Sequence, residues 1–174
     1  AAKRKIIRRE ARSDGYIQVW NEYNETNLLR SDGKLLSNVW FRKIGLFRIP
    51  LFNEGFAIVE RDDCRYNYLK TDGTLLSKEW FTNATEFENG LAMVERYKDY
   101  RWYFIKEDGS FLSEMGFYQA KKFKEGFALV RITPQLYNFL KKDGELLLDR
   151  HYHDAREFEN GKAAVYEFNN PKGP

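Results

Sequence analysis

Residues 65–90 read RYNYLKTDGTLLSKEWFTNATEFENG. Two β-favouring runs, 65–70 and 74–80, flank Asp72-Gly73, and a short loop closes on Gly90. Asp-Gly between such runs signals a hairpin, because glycine takes positive φ without a Cβ penalty. The stretch is one copy of a repeat. Asp-Gly glycines recur at Gly33, Gly73, Gly109 and Gly144. A second glycine follows a phenylalanine by three positions in FNEG, FENG, FKEG and FENG, at Gly55, Gly90, Gly126 and Gly161. The second set is spaced by 35 or 36 residues. The first unit is five residues longer between its two glycines, with the insertion in 42–51.

Columns appear when the copies are aligned. Leu29, Leu69, Ile105 and Leu140 stand four places before the Asp-Gly glycine, and Phe41, Phe81, Phe117 and Tyr152 eight places after it. The second glycine opens GFAIV, GLAMV, GFALV and GKAAV, which align Ala57, Ala92, Ala128 and Ala163. The alanines imply close approach by a neighbouring backbone or ring, and the aromatic columns imply stacking from copy to copy. Each unit reads as three runs, for the second copy 55–60, 65–70 and 74–80, joined as an antiparallel meander.

The expected fold is all-β: about four three-stranded meanders of about 35 residues, stacked as an open solenoid or superhelix. A small closed β-propeller-like arrangement is the alternative. The organisation is a basic N-terminal arm at 1–12, one repeat domain at 13–170 and a tail at 171–174. Units fall at 15–54, 55–89, 90–125 and 126–160, with a partial unit at 161–170. An array that begins and ends mid-unit suits either a fragment of a longer protein or closure by pairing of its ends.

The repeat resembles the WG-repeat (KWG) family of bacterial β-rich proteins. YNYLKTDG, WYFIKEDG and YNFLKKDG fill the first half of that pattern, and FENGLAMV and FKEGFALV the second. The signature Trp-Gly pair is replaced by Thr26-Asn27, Tyr66-Asn67, Trp102-Tyr103 and Tyr137-Asn138. The chain is therefore similar to a divergent member. The resemblance implies a β-rich repeat module and brings no catalytic residues with it.

The chain has 174 residues, 17% of them aromatic, and a net charge of +3. Six of its 29 basic residues lie in 1–12, against one acid, Glu10. A solvated terminus is the expectation for that arm, and nucleic acid is expected to bind, if at all, through 3–12. No apolar run is long enough to span a membrane as a helix. No secretory signal is visible, and the body reads as soluble. One cysteine, Cys64, excludes an intrachain disulfide. It reads as an incidental surface thiol and is compatible with the cytoplasm, though the compartment is undetermined.

Catalytic and cofactor chemistry finds little footing. His151, His153 and Asp154 form HYHD, half of a metal site without further ligands, and the Asp-Gly turns carry too few oxygens for calcium. Ser31, Ser37, Ser77 and Ser113 lie in repeated columns and read as framework. No phosphate-binding or nucleophile-elbow motif is present. The expectation is no catalytic, metal or cofactor residues. The aromatics Trp40, Trp80 and Trp102 are the candidate binding surface, set against repeat packing. A non-catalytic scaffold that binds a protein partner leads; a carbohydrate or cell-envelope module, or an accessory domain of a larger enzyme or toxin, are the alternatives.

Overall fold

The computed structural model describes residues 4–45 and 50–167. The described residues form strands and turns, with no helix. Four three-stranded antiparallel sheets are followed by a two-stranded one, and none is closed. Sheet one holds β1 (Ile6–Ala11), β2 (Ile17–Asn21) and β3 (Thr26–Leu29). Sheet two holds β4 (Lys43–Ile44), β5 (Phe56–Glu60) and β6 (Tyr66–Lys70), and sheet three holds β7 (Asn83–Ala84), β8 (Leu91–Arg96) and β9 (Arg101–Lys106). Sheet four holds β10 (Gln119–Ala120), β11 (Phe127–Thr133) and β12 (Leu136–Lys141), and sheet five β13 (Asp154–Ala155) and β14 (Val165–Tyr166).

In sheets one to four, two of the three expected runs form the central strand and the edge strand that follows it. The third run, 74–80 in the second copy, is not a regular strand. It returns along β6 through the single bridges Leu69–Leu75 and Tyr66–Phe81, then crosses to start the next sheet as β7. In sheets two to four the remaining strand is the two-residue segment ahead of the second glycine, and in sheet one it is the six-residue β1. In sheet two the buried side chain of Asn67 replaces part of the ladder. Its Nδ2 donates to the Ser77 and Glu79 carbonyls at 2.8 and 3.1 Å, and its Oδ1 accepts the Tyr68 and Ser77 N–H groups. Asn27 and Asn138 do the same with 37–39 and 148–150. All three asparagines are fully buried. Ser37, Ser77 and Ser113 each accept the N–H two residues on, which fixes the bend.

The segment expected as a solvated basic arm is partly built into the fold. β1 pairs with β2 from Ile6–Asn21 to Ala11–Ile17. The Arg8 guanidinium lies 3.7 Å from the centre of the Trp20 ring, and Arg4 forms an ion pair with Glu25. The insertion in 42–51 and the units' last segment, 161–170, fall partly outside the described residues, as does the tail at 171–174.

The core lies between consecutive sheets. Alternate residues of β5 face opposite ways, and both faces are covered, so every residue of the strand is buried. Ala57, Val59 and Leu69 face back onto Leu28, Leu36 and Phe41. Phe56, Ile58 and Tyr68 face forward onto Phe81, Phe87 and Ala92. Ala128, Val130 and Leu140 repeat the backward contact with Phe104. The alanine column marks the close backward face. The phenylalanine before each second glycine is the key between sheets. Phe87 stacks on Phe56 at 4.2 Å and meets Tyr68 edge-on at 5.0 Å; Phe158 does the same with Phe127 and Phe139. Such pairs add about 0.5–1.5 kcal/mol each beyond burial.

Turns interlock as well. The second-glycine turns are two-residue hairpins with positive φ at both central positions, as in Asn89 (54°) and Gly90 (77°). At the Asp-Gly turns, Gly73 and Gly144 press against the sheet before. A Cβ added to them would lie 1.9 Å from the Leu36 carbonyl oxygen and 2.1 Å from that of Leu112.

Candidate functional site

Antiparallel pairing sorts the turns to two ends of every sheet. The turn joining the two long strands, 61–65 in sheet two, lies at one end, and the Asp-Gly and second-glycine turns lie at the other. The first end carries a stripe of arginine and aromatic side chains. Arg61 lies over the Trp80 ring at 4.8 Å and Arg65 over Tyr97 at 3.8 Å. Arg101 and Arg131 both lie 5.5 Å from the Tyr118 ring centre, and Arg131 is 5.0 Å from that of Tyr137. The Arg65–Tyr97 contact joins the tip of sheet two to that of sheet three. Arg101 Nη1 donates to the Ile132 carbonyl and joins sheet three to sheet four. Tyr97, Tyr100 and Tyr118 are 49%, 59% and 42% exposed, so the stripe is open to solvent.

Acids alternate with these cations. Arg61 pairs with Asp63 through two 2.6 Å bonds, and Arg96 grips Glu79 with 3.0 Å bonds from Nε. Hydrogen bonding from Arg61 holds the Asp63 carboxyl below its ordinary range, and bonding to Asp63 raises Arg61. Burial raises the Tyr103 phenol, and its bond to Asp99 adds to the effect. The stripe is therefore charge-balanced, not uniformly basic. Such a surface offers cation–π, bidentate and aromatic contacts in one strip.

The three tryptophans marked from sequence are all half-buried. Trp80 packs on the core between sheets one and two and presents a ring face to Arg61. Trp102 lies in β9 opposite Glu95, and Trp40 follows Val39, whose carbonyl accepts from Asn27. Only Trp80 of the three joins the stripe. In the sequence, Arg96, Lys98, Arg101 and Trp102 stand out as basic residues interleaved with aromatics, a pattern that a solvated hairpin explains equally well; the tyrosines of the stripe and its other arginines do not stand out. The eight turn glycines, Gly33, Gly55, Gly73, Gly90, Gly109, Gly126, Gly144 and Gly161, all have positive φ between 73° and 89°.

Other sequence candidates occupy structural positions. His151 Nδ1 lies 3.0 Å from Asn138 Nδ2, beside the buried asparagine. Cys64 is exposed in the 61–65 turn at φ 59°, and Arg42 donates to its sulfur. Among the described residues, no three His, Cys, Asp or Glu side chains are grouped to hold a metal ion, and no helix is long and apolar enough to cross a membrane.

Residues 104–133 and 139–170 match the family described as WG containing repeat. WG repeats therefore lie in residues 104–170. The matched stretches include β11 and its FKEG turn, and Asn138 sits just ahead of the second. Asn138 clamps the Leu148 and Arg150 carbonyls there. No curated protein matches the chain. Among solved structures, it is similar to the computationally designed Ika8 protein at 11% identity, covering 94% of this chain and 58% of that one, with a TM-score of 0.43. The WD40 β-propeller domain of Doa1 is 10% identical, with 94% and 62% covered and a TM-score of 0.39. A protein of unknown function from Bacteroides caccae is 15% identical, with 88% and 62% covered and a TM-score of 0.32. The chain spans less than two thirds of the length of each of these structures.

Proposed function

We propose that this chain is a non-catalytic recognition module: an open stack of WG repeats whose arginine–aromatic edge binds a protein partner. The observation that carries the reading is the continuity of that edge from repeat to repeat, through Arg65–Tyr97 and Arg101–Ile132. Tyrosine, tryptophan and arginine are the residue types that dominate protein-binding energetics. Here they stand partly pre-ordered by mutual contacts, which lowers the entropy lost on binding. The alternating acids favour a protein surface over a nucleic-acid backbone, which calls for an excess of cations. A glycan needs open aromatic faces, whereas the Trp20 and Trp80 faces are covered by guanidinium groups.

The test compares capture from the source organism by the wild type and by the Arg61→Ala/Arg65→Ala/Arg101→Ala variant, with circular dichroism to verify folding. The expected result is a reproducible protein retained by the wild type and lost by the folded variant. Equal capture by both, or none by either, refutes the reading.

A further inference from the structure

The opposite end of the stack, away from the stripe, carries a second ladder with one step missing. Glu54 reaches from its own turn to the next, where its carboxylate accepts the Asn89 and Gly90 N–H groups at 2.8 and 2.9 Å. Glu125 repeats this one stage on, accepting Asn160 and Gly161 at 2.9 and 2.8 Å. Paired N–H groups in such a turn form an anion-binding concavity. At the step between them, position 89 is asparagine, one methylene shorter and without charge. The N–H groups of Glu125 and Gly126 receive no acceptor from it or from any other described residue.

The same step also differs in its packing between sheets. The column filled by Phe56 and Phe127 is Leu91 in sheet three, so Phe123 lacks the stacked ring that Phe87 and Phe158 have. A cleft of about 200 Å³ results. Its apolar lining is Leu91, Met93, Phe104 and Phe123, and Asn89, Glu125 and Gly126 lie on its wall. Lys122 and Lys142 line it too, with Glu86 and Glu88. The Glu88 carboxylate is paired with Lys122 at 2.6 Å, and that of Glu125 is committed to Asn160 and Gly161.

The geometry points to a carboxylate-binding subsite in this cleft: the Glu125 and Gly126 N–H groups take an acidic group of a peptide whose neighbouring apolar side chain lies against Leu91 and Phe123. The chain's own Glu54 and Glu125 supply the template for the polar half. Lys142 lends a positive charge to a wall where the other cation is paired. The apolar lining selects a carboxylate carried next to an aliphatic or aromatic residue, not a free small anion.

Amide chemical shifts of the ¹⁵N-labelled chain test this. Three probes are titrated: N-acetyl-Leu-Glu-amide, its Gln counterpart, and N-acetyl-leucine with a free carboxylate. The Glu125 and Gly126 amides are expected to move downfield and saturate with the glutamate probe, at least fivefold more tightly than with the Gln form. Saturation by N-acetyl-leucine instead identifies a C-terminal carboxylate as the ligand group and equally supports the subsite. Asn89→Glu is expected to supply the carboxylate internally, shift Gly126 without probe and abolish the response. Lys142→Gln is expected to weaken binding at least twofold. The inference is overturned if neither carboxylate probe moves Glu125 and Gly126 more than residues of the 61–65 turn. It is equally overturned if folded Asn89→Glu still responds as the wild type does.

Discussion

Replacing the Asp-Gly glycines by alanine separates two costs that the sequence pattern merges. Gly33, Gly73 and Gly109 have φ of 77°, 89° and 84°, so each Gly→Ala change carries similar backbone strain. That strain is about 1–3 kcal/mol for a non-glycine residue held there. Their surroundings differ. A Cβ at Gly33 meets nothing within 4 Å, at Gly109 it lies 2.8 Å from the Leu76 carbonyl oxygen, and at Gly73 it lies 1.9 Å from that of Leu36. The clashing atoms are backbone, so one sheet must move relative to the next, and such overpacking costs a further 1–3 kcal/mol or so. Gly33→Ala should cost about 1–3 kcal/mol and Gly73→Ala about 2–6, with Gly109→Ala between. In a chain of this size each 1 kcal/mol lowers Tm by about 2–4 °C. Urea unfolding followed by tryptophan fluorescence and by circular dichroism gives the order; divergence of the two signals would mark stepwise loss of repeats. If Gly33→Ala is as damaging as Gly73→Ala, the glycines serve turn conformation alone and the interlock between sheets is refuted.

Asn67→Leu should destabilise by roughly 2–5 kcal/mol, because it strips the donor from the Ser77 and Glu79 carbonyls and the acceptor from the Tyr68 and Ser77 N–H groups; a loss under about 1 kcal/mol in urea unfolding would show that the clamp is dispensable. Sheet three has Tyr103 in the asparagine column and Gly116 in the column of Trp40, Trp80 and His151, and a Cβ at Gly116 would lie 2.5 Å from the Tyr103 ring. Gly116→Trp should therefore unfold the third repeat, and Tyr103→Asn should recover only part of the loss, because the Arg101 Cβ still lies 2.6 Å from the added Cβ; additive losses across that double-mutant cycle would exclude the coupling. Asp72 and Asp108 are held below the ordinary carboxylate pKa, first by the Thr74 and Ser110 hydroxyls and then by the same residues' N–H groups; Asp143 is held down first by the Glu145 N–H and then by Lys141. Their folded pKa is the lower one, so their stabilisation is complete above the unfolded value near 4 and is lost as pH falls through the folded value. Tm should fall as pH drops below about 4, and the Asp72→Asn/Asp108→Asn/Asp143→Asn variant should flatten that fall; an unchanged slope would place the acid sensitivity elsewhere.

The two long strand-forming runs of each unit were legible because continuous β-favouring apolar runs, Asp-Gly turns and the spaced second glycine act locally. The misreading of 74–80 as a strand has a specific cause. TLLSKEW follows an Asp-Gly turn as a hairpin strand should, but part of its ladder is taken over by a side chain ten residues upstream. Asn67 stands where the family's signature has glycine, so it looked like a departure when it is a clamp. The stripe of Arg65, Tyr97, Arg101 and Tyr118 was equally illegible, since each pair spans 17 or more residues and forms only when sheets stack.

The sequence alone determined the repeat, its period, its all-β character and the WG resemblance, because turn chemistry and side-chain alternation are short-range. Tertiary structure decided which strand completes each sheet and which glycines are interlocks and which are free turns. It also decided that Glu54 and Glu125 cap turns about 35 residues away while Asn89 does not. Those outcomes depend on how close one sheet lies to the next. That distance is set by the alanine face and the inserted phenylalanines together, and no single repeat contains it.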